Sequence, residues 1–472
     1  MVPIMLRIDK NSSEPIYLQI YRQLKVQIIS GEIQTGERLK ATRVLSEEYH
    51  LSRNTILNAY QQLESEGFVR SIIGSGFYVE EIPEFIHEKV SLTIPNNGPE
   101  PNKTYRYDFR YGALEPNLYK NTDFRRCLKE AMNELEEKPS LYNGDPMGLQ
   151  SLREAISTYL FETRDMRISF DQVIITGGHH YSISLLQKIL PSSVSTLYME
   201  EPGHNDTFDI FKEAGYTIVP VEVDDNGMKV EQIRSSNKAL AYITPSHQFP
   251  LGAILPIGRR LQLLKWAKKS SSYIIEDDYD ASLRYKEQPI PSLFSLDRNQ
   301  SVIYLGTFSK SLSPDLRVSY IVLPAGFDYA PLRKHFLLSS PASSLIQRTI
   351  EKYISLGFYK TRINKLRNLL RKKHNRILSF FARHYGDRIK IYGIGGGTHF
   401  VLALPTDKDQ ESILSFFHQR DIAVYPTKKY YLQKKQDKEN LVLIGYSGIP
   451  LEELDDYLDY LKTAIDALIK AA

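Results

Sequence analysis

The chain has 472 residues and a single cysteine, Cys127. No intramolecular disulfide can form, and no cysteine-rich metal site can be assembled. No stretch approaches the ~18 consecutive apolar residues of a membrane-crossing helix. The opening MVPIMLRIDKNSSEP lacks the charged stretch, apolar core and small-residue cleavage site of a secretory leader. Together these absences lead us to expect a cytoplasmic protein. There is no internal repeat. A hydrophobic content of 42% and a charged content of 25% leave no room for a disordered, collagen-like or coiled-coil chain. Net charge is small: the formal value is +4, and the first 80 residues carry nine basic and nine acidic side chains. Any surface that binds phosphates must therefore come from where charge is placed, not from its total.

The length exceeds what one core supports and implies two to four structural units of about 100–250 residues. Residues 81–105 change character. Pro83, Pro95, Pro99 and Pro101 interrupt them, with Asn96, Asn97 and Gly98 between. Proline fixes φ and removes an amide donor, so this segment reads as a linker. A helical block, 1–80, precedes it. After it, in 106–472, apolar runs such as DQVIITGG, STLYMEEPG, KALAYITP, YIIEDDYD and SVIYLGTFSK alternate with amphipathic ones. That alternation indicates an α/β fold with a mostly parallel sheet. From about Tyr359 the chain is rich in Lys and Arg at helical spacing. It then passes through THFVLALP and LVLIGYS, a pattern suited to a smaller α+β lobe.

In the helical block, Ile16, Ile20, Leu24 and Ile28 recur near a 3.6-residue period, and Gly31 ends that helix. A second helix is expected over 43–49, with Val44, Leu45 and Tyr49 inward. Ser52 is a good N-cap for a third, whose inward stripe is Ile56, Leu57, Tyr60 and Leu63. Arg53, Asn54 and Thr55 then occupy its exposed first turn. A short helix, a tight turn and a helix with a polar start describe a helix-turn-helix. The run EGFVRSIIGSGFYV reads as two strands joined at Gly74-Ser75-Gly76, a wing. A small three-helix structural domain is the plainer alternative.

Four residues downstream form the sharpest constellation: Asp277, Tyr279, Lys310 and Arg317. Asp277 and Lys310 each close an apolar strand, and ligands of parallel sheets bind beyond the strand carboxyl ends. Pyridoxal 5′-phosphate (PLP) needs such a set. An amine forms a Schiff base, a carboxylate pairs with the pyridine nitrogen, and a phenol bonds the ring oxygen. Thr307, Ser309 and Arg317 could serve the phosphate. TGGHH opens a helix after a strand, so Gly178, His179 and His180 could complete that cradle.

The block RVLSEEYHLSRNTILNAYQQLESEGFV with its GSGFYV wing resembles the winged helix-turn-helix of the GntR family. That resemblance implies that Arg43, Ser52, Arg53, Asn54 and Thr55 contact DNA, with Gly76 at the wing tip. Arg53 is the candidate reader of a guanine. The motifs YNGDPMGLQSLREAI, TGGHHYSI, EEPGHND, TPSHQFPLG, IIEDDYD and GTFSKSLSPDLR resemble the fold-type-I aminotransferases. By that resemblance Lys310 anchors PLP, Asp277 partners the pyridine nitrogen and Tyr279 the ring oxygen. His204 stacks on the ring, and His247 and Gln248 lie beside it. The fusion of both halves resembles the MocR/GabR family of bacterial regulators, including its pyridoxine-synthesis branch. It implies a head-to-tail homodimer that binds operator DNA under the control of PLP.

One element of the pattern is missing. An amino-acid substrate needs its carboxylate held, usually by the two-pronged guanidinium of an arginine. In LIGYSGIP, Gly448 stands at the apparent arginine position. Asn205 and Asp206 replace a further arginine pair, and Lys428 or Lys429 falls where another effector-binding arginine is expected. The expectation is a sensor of PLP with little or no aminotransferase activity. The alternatives are a regulator that answers to an amine or amino acid, a working aminotransferase, and a fold that has lost its cofactor.

Overall fold

The computed structural model describes residues 6–10, 12, 14–81, 103–137, 145–234, 237–285, 291–328, 341–432 and 440–470. Most of the expected linker and the YNG of YNGDPM lie outside these. The chain divides into two compact units, Met1–Asn102 and Lys103–Ala472.

The first unit has helices Ile16–Ile29, Thr42–Glu48 and Arg53–Ser65, followed by strands Val69–Ile72 and Gly76–Val79. Ile20, Leu24 and Ile28 of the first helix meet Ile56, Ala59, Tyr60 and Leu63 of the third in one core. Leu45 of the second helix is fully buried there, whereas Val44 is 50% exposed. The expected inward Val44 is thus corrected: in a helix of two turns, only Leu45 reaches the core. Leu57 is only half-buried, and Ala59 takes its inward place. The two strands pair antiparallel with Ile72 opposite Gly76. The tip is therefore Ile73-Gly74-Ser75, and the Ser75 amide donates to the Ile72 carbonyl at 2.9 Å.

The second unit is built on an eight-stranded sheet. Its spatial order is Val173–Thr176, Ser319–Val322, Val302–Thr307, Tyr273–Asp277, Leu240–Ile243, Thr196–Glu201, Thr217–Asp224 and Gly227–Met228. The five from Val302–Thr307 to Thr217–Asp224 run parallel. Ser319–Val322 is antiparallel to both neighbours, and Gly227–Met228 folds back as a hairpin. LAYI in the middle of the sheet and VIIT at its edge are both buried at every position, as expected of strands covered on both faces. A smaller antiparallel sheet, Lys390–Tyr392, His399–Ala403, Leu441–Gly445 and Tyr425–Pro426, forms the second lobe. Helices Phe358–His384, Gln410–His418 and Leu454–Lys470 contribute to its core through Leu370, Phe417 and Leu461. Asp277, the loop after Thr307, the loop after Ile243 and the loop after Glu201 all follow carboxyl ends of parallel strands. This places them around one crevice.

Candidate cofactor site and nucleic-acid interface

Lys310 lies three residues beyond the Val302–Thr307 strand, in a turn rather than at the strand end itself. Its Nζ sits 3.9 Å from the centre of the Tyr111 ring. Desolvation pulls its pKa down to about 8, opposed by Asp280 and Asp277. Such an amine keeps a larger neutral, nucleophilic fraction near neutral pH than an ordinary lysine does, and becomes mostly neutral above about pH 8. Gly112 (φ +87°) makes room for it, since a Cβ there would stand 3.1 Å from Nζ. Tyr111 and Gly112 were not foreseen, because nothing local in RYGAL marks them.

Asp277 closes its strand and is buried. Its Oδ2 accepts the Tyr242 hydroxyl at 2.5 Å, and His179 Nδ1 stands 3.7 Å from the same oxygen. Burial raises its pKa, with His179 and the Tyr242 bond opposing. A carboxylate held in this way gains from a cation beside it. The Tyr279 hydroxyl donates to the His247 carbonyl at 2.9 Å and lies 3.1 Å from His247 Nδ1. That nitrogen is also 2.9 Å from Asp280 Oδ2, inside an enclosed His–Asp pair.

Gly178 is the N-cap of the helix His179–Ile189 and has φ +104°. The Arg317 guanidinium lies against it: a Cβ on Gly178 would come within 3.2 Å of both Cζ and Nη2. Arg317 is exposed and has no carboxylate partner among the described residues. A free guanidinium beside the first amides of a helix forms an anion cradle. Thr307 Oγ1 accepts from the Ser309 amide at 3.1 Å and the Ser319 hydroxyl at 3.0 Å, which leaves its own proton to give. His204 lies between His179 and Phe249, with ring centres 5.1 and 5.0 Å away. Burial holds it neutral, well below its ordinary pKa, and its Nδ1 has no partner.

Three sequence expectations change here. The His180 side chain turns outward to Asp206 at 3.2 Å, and the His179 ring faces Asp277, so only the backbone at these positions is left to meet an anion. Successive helical residues point about 100° apart, which separates the two rings. Gln248 is committed to its loop. Its Nε2 donates to Pro202 O and Phe249 O, and its Oε1 accepts from Leu251 N. Gly448 lies in the turn beyond Leu441–Gly445, where a Cβ would meet that of Ala113 at 3.0 Å. The strand before it carries no arginine. Its Leu443 joins Phe249 and Tyr430 in an apolar cluster that Tyr111 and Tyr279 pack against. Lys428 and Lys429 are exposed in a short turn, with Lys429 Nζ 5.0 Å from the Tyr430 ring centre.

In the first unit, Ser52 Oγ accepts the Thr55 amide at 3.1 Å and lies 2.7 Å from the Thr55 hydroxyl. Both hydroxyls thus shape the helix start. Arg53 is held by Thr42 Oγ1 at 3.3 Å, Asn54 is exposed, and Arg43 is exposed with Glu47 at 3.5 Å. Gly76 is not at the wing tip. It opens the second strand, where its missing Cβ admits the Arg38 guanidinium (Nε at 3.1 Å). Arg38 is a cation at this surface that the sequence pattern did not single out. No described helix is long and apolar enough to cross a membrane.

Residues 16–79 match the bacterial regulatory proteins of the gntR family, and residues 114–423 match the class I and II aminotransferases. The regulator YdeL of Bacillus subtilis is 33% identical over 95% of this chain and 96% of its own length. The rhizopine catabolism regulator MocR of Rhizobium meliloti is 27% identical over 98% and 96%. The pyridoxine biosynthesis regulator PdxR of Corynebacterium glutamicum is 27% identical over 91% of each chain. Among solved structures, a multiple substrate aminotransferase from Thermococcus profundus matches with TM-score 0.68 and 21% identity. It covers 79% of this chain and 94% of that one. These findings define a DNA-binding transcriptional regulator with an aminotransferase-like domain. The chain belongs to the MocR/GabR-type family.

Proposed function

We propose that this regulator holds PLP on Lys310 and that PLP occupancy itself sets its grip on operator DNA, in the service of vitamin B6 supply. The observation that carries the reading is the pairing of an anion cradle, Gly178 with Arg317, with an enclosed amine and a buried carboxylate in one crevice. The residues suit the group. Lys310 would hold it covalently, Asp277 would face the pyridine nitrogen, and His204 offers a neutral ring face. Bound PLP supplies an electrophilic carbon and an electron-withdrawing ring. Tyr279 has a hydroxyl that donates to His247 and an oxygen still able to accept. The apolar side chains around Leu443 give a substrate carboxylate no fork to bind, which disfavours transamination. The corresponding relative from Corynebacterium glutamicum is named for pyridoxine biosynthesis, in keeping with this reading.

A ligand that binds two states unequally shifts their populations, and a homodimer would carry that shift to two DNA-binding heads. The test is a titration of the purified apo-protein against its own upstream DNA, with and without PLP and with no amine present. A PLP-dependent change in affinity is expected. No change with PLP alone, but a change once an amine or amino acid is added, would replace this reading with an amine-responsive one. Exposed Lys428 and Lys429 beside Tyr430 are the observation that favours that second reading.

A further inference from the structure

The helix Phe358–His384 carries nine Lys and Arg and no Asp or Glu in 27 residues. Its apolar face, with Ile363, Leu366, Leu370, Ile377 and Phe381, is buried in the unit. Lys360 and half-buried Arg367 line a cavity that Lys310 also lines, and the remaining cations stand outside it. Four of the nine have other duties. Lys373 is buried on Glu115, Lys360 pairs with Glu162, Arg376 pairs with Asp455, and Arg362 donates to the Ser311 carbonyl. The other five, Lys365, Arg367, Arg371, Lys372 and Arg383, meet no carboxylate among the described residues. Arg367 and Arg371 instead donate to Asn364 at 2.6 Å and Asn368 at 3.3 Å, which orient the guanidinium groups without neutralising them.

Cations one turn apart repel each other and weaken a helix. The arrangement is relieved when a polyanion lies along it. From Lys365 to Arg383 the helix rises ~27 Å, at 1.5 Å per residue. Duplex DNA presents one negative charge per ~1.7 Å of axis, a spacing that serves such a row wherever it lands. A membrane-surface helix would show an apolar flank, but no large apolar side chain of this helix stands exposed. An acidic protein would need carboxylates matched to five separate positions.

We infer that the solvent face of Phe358–His384 is a second, sequence-independent DNA-binding surface, additional to the winged helix. The inference rests on the DNA-binding role described above.

The experiment uses the full chain and a long random-sequence duplex, with the affinity measured as a function of salt. Each phosphate contact contributes about 0.9 to the slope of log affinity against log salt. The triple variant Lys365→Gln/Arg371→Gln/Lys372→Gln is expected to lower that slope by about 2–3. Lys365→Arg/Arg371→Lys/Lys372→Arg, which keeps the charge, is expected to leave it unchanged. A slope in the Gln variant equal to that of the unaltered protein overturns the inference. So does the capture of phosphatidylglycerol vesicles that is lost in the Gln variant while the DNA slope holds. The variant Arg43→Ala/Arg53→Ala tests the winged helix separately. It should lose preference for the chain's own upstream DNA yet keep salt-dependent binding to random duplex. Undiminished preference in that variant would overturn the winged-helix reading and leave the helix result standing.

Discussion

Gly178→Ala is the most informative single change, because it strikes both halves of the anion cradle. The backbone there has φ +104° and ψ 173°, a region that essentially only glycine occupies, so an alanine costs about 1–3 kcal/mol of strain. The new Cβ would also stand 3.2 Å from Cζ and Nη2 of Arg317 and 3.4 Å from its Nε. Arg317 is exposed and free to swing, so it moves away and takes its charge from the helix start. A hydrogen bond to a charged group contributes about 1.5–3 kcal/mol. PLP affinity should therefore fall about 10- to 150-fold. The assay is equilibrium binding followed by visible absorbance, run in parallel with pyridoxal, which lacks the phosphate. Pyridoxal binding should change little. Equal losses for both ligands would mean that the cradle does not hold phosphate and that the variant has merely disturbed the fold. Arg317→Ala should reproduce the loss, and the double variant should lose much less than the sum, because the two residues share one interaction.

Lys310→Ala should abolish the covalent visible chromophore; an unchanged spectrum would exclude Lys310 as the anchor. With its pKa near 8, Lys310 becomes neutral as pH rises, so the rate of PLP capture should climb through about pH 8 and then level off. A flat profile from about pH 6 to about pH 10, about two units either side of that value, would mean that the amine is not the limiting nucleophile. Arg53→Ala should cost about 1–3 kcal/mol on specific DNA if it reads a base; equal loss on random DNA would reassign it to a phosphate. Glu66 is pulled down to about 2 by its bonds to Lys25, Tyr21 and Gln62, from an ordinary 4.5. The stabilisation it gives the first unit is fully present above that ordinary value and fades as pH falls toward 2. Glu66→Gln should remove this step from an acid unfolding curve, and a curve that keeps the step would place the acid sensitivity elsewhere.

Local chemistry made the strongest features legible. Ser52 caps its helix because a serine oxygen three residues before an amide is a bond within reach of the sequence itself. Asp277 reads from its own apolar strand, and Lys310 follows one closely, so the crevice was visible before the fold. What the sequence concealed depends on partners far along the chain. Gly76 looked like a turn residue because Gly74 stands two places away. Its true place follows from pairing with Ile72 and from Arg38, nearly forty residues earlier. Tyr242, which steadies Asp277, is one more inward tyrosine on an apolar strand until the neighbouring strand is laid beside it. Asp280 stood in plain view in IIEDDYD, but the His247 ring that it faces comes from a separate loop.

The absence of an arginine at Gly448 is matched by apolar packing on the strand before it. Leu443 occupies an inward position of a strand that lies beside the crevice, and its neighbours Phe249, Val401 and Tyr430 are all apolar or aromatic. Placing a guanidinium there would bury a charge at a cost of several kcal/mol unless a ligand carboxylate met it each time. A site that must stay folded while empty does better with leucine. The Arg317 cradle escapes this constraint because its guanidinium is exposed and hydrated until an anion arrives. The structure thus offers an exposed cation beside Gly178 and apolar packing around Leu443. That contrast is the physical ground for proposing a phosphorylated ring, rather than a free amino acid, as the signal.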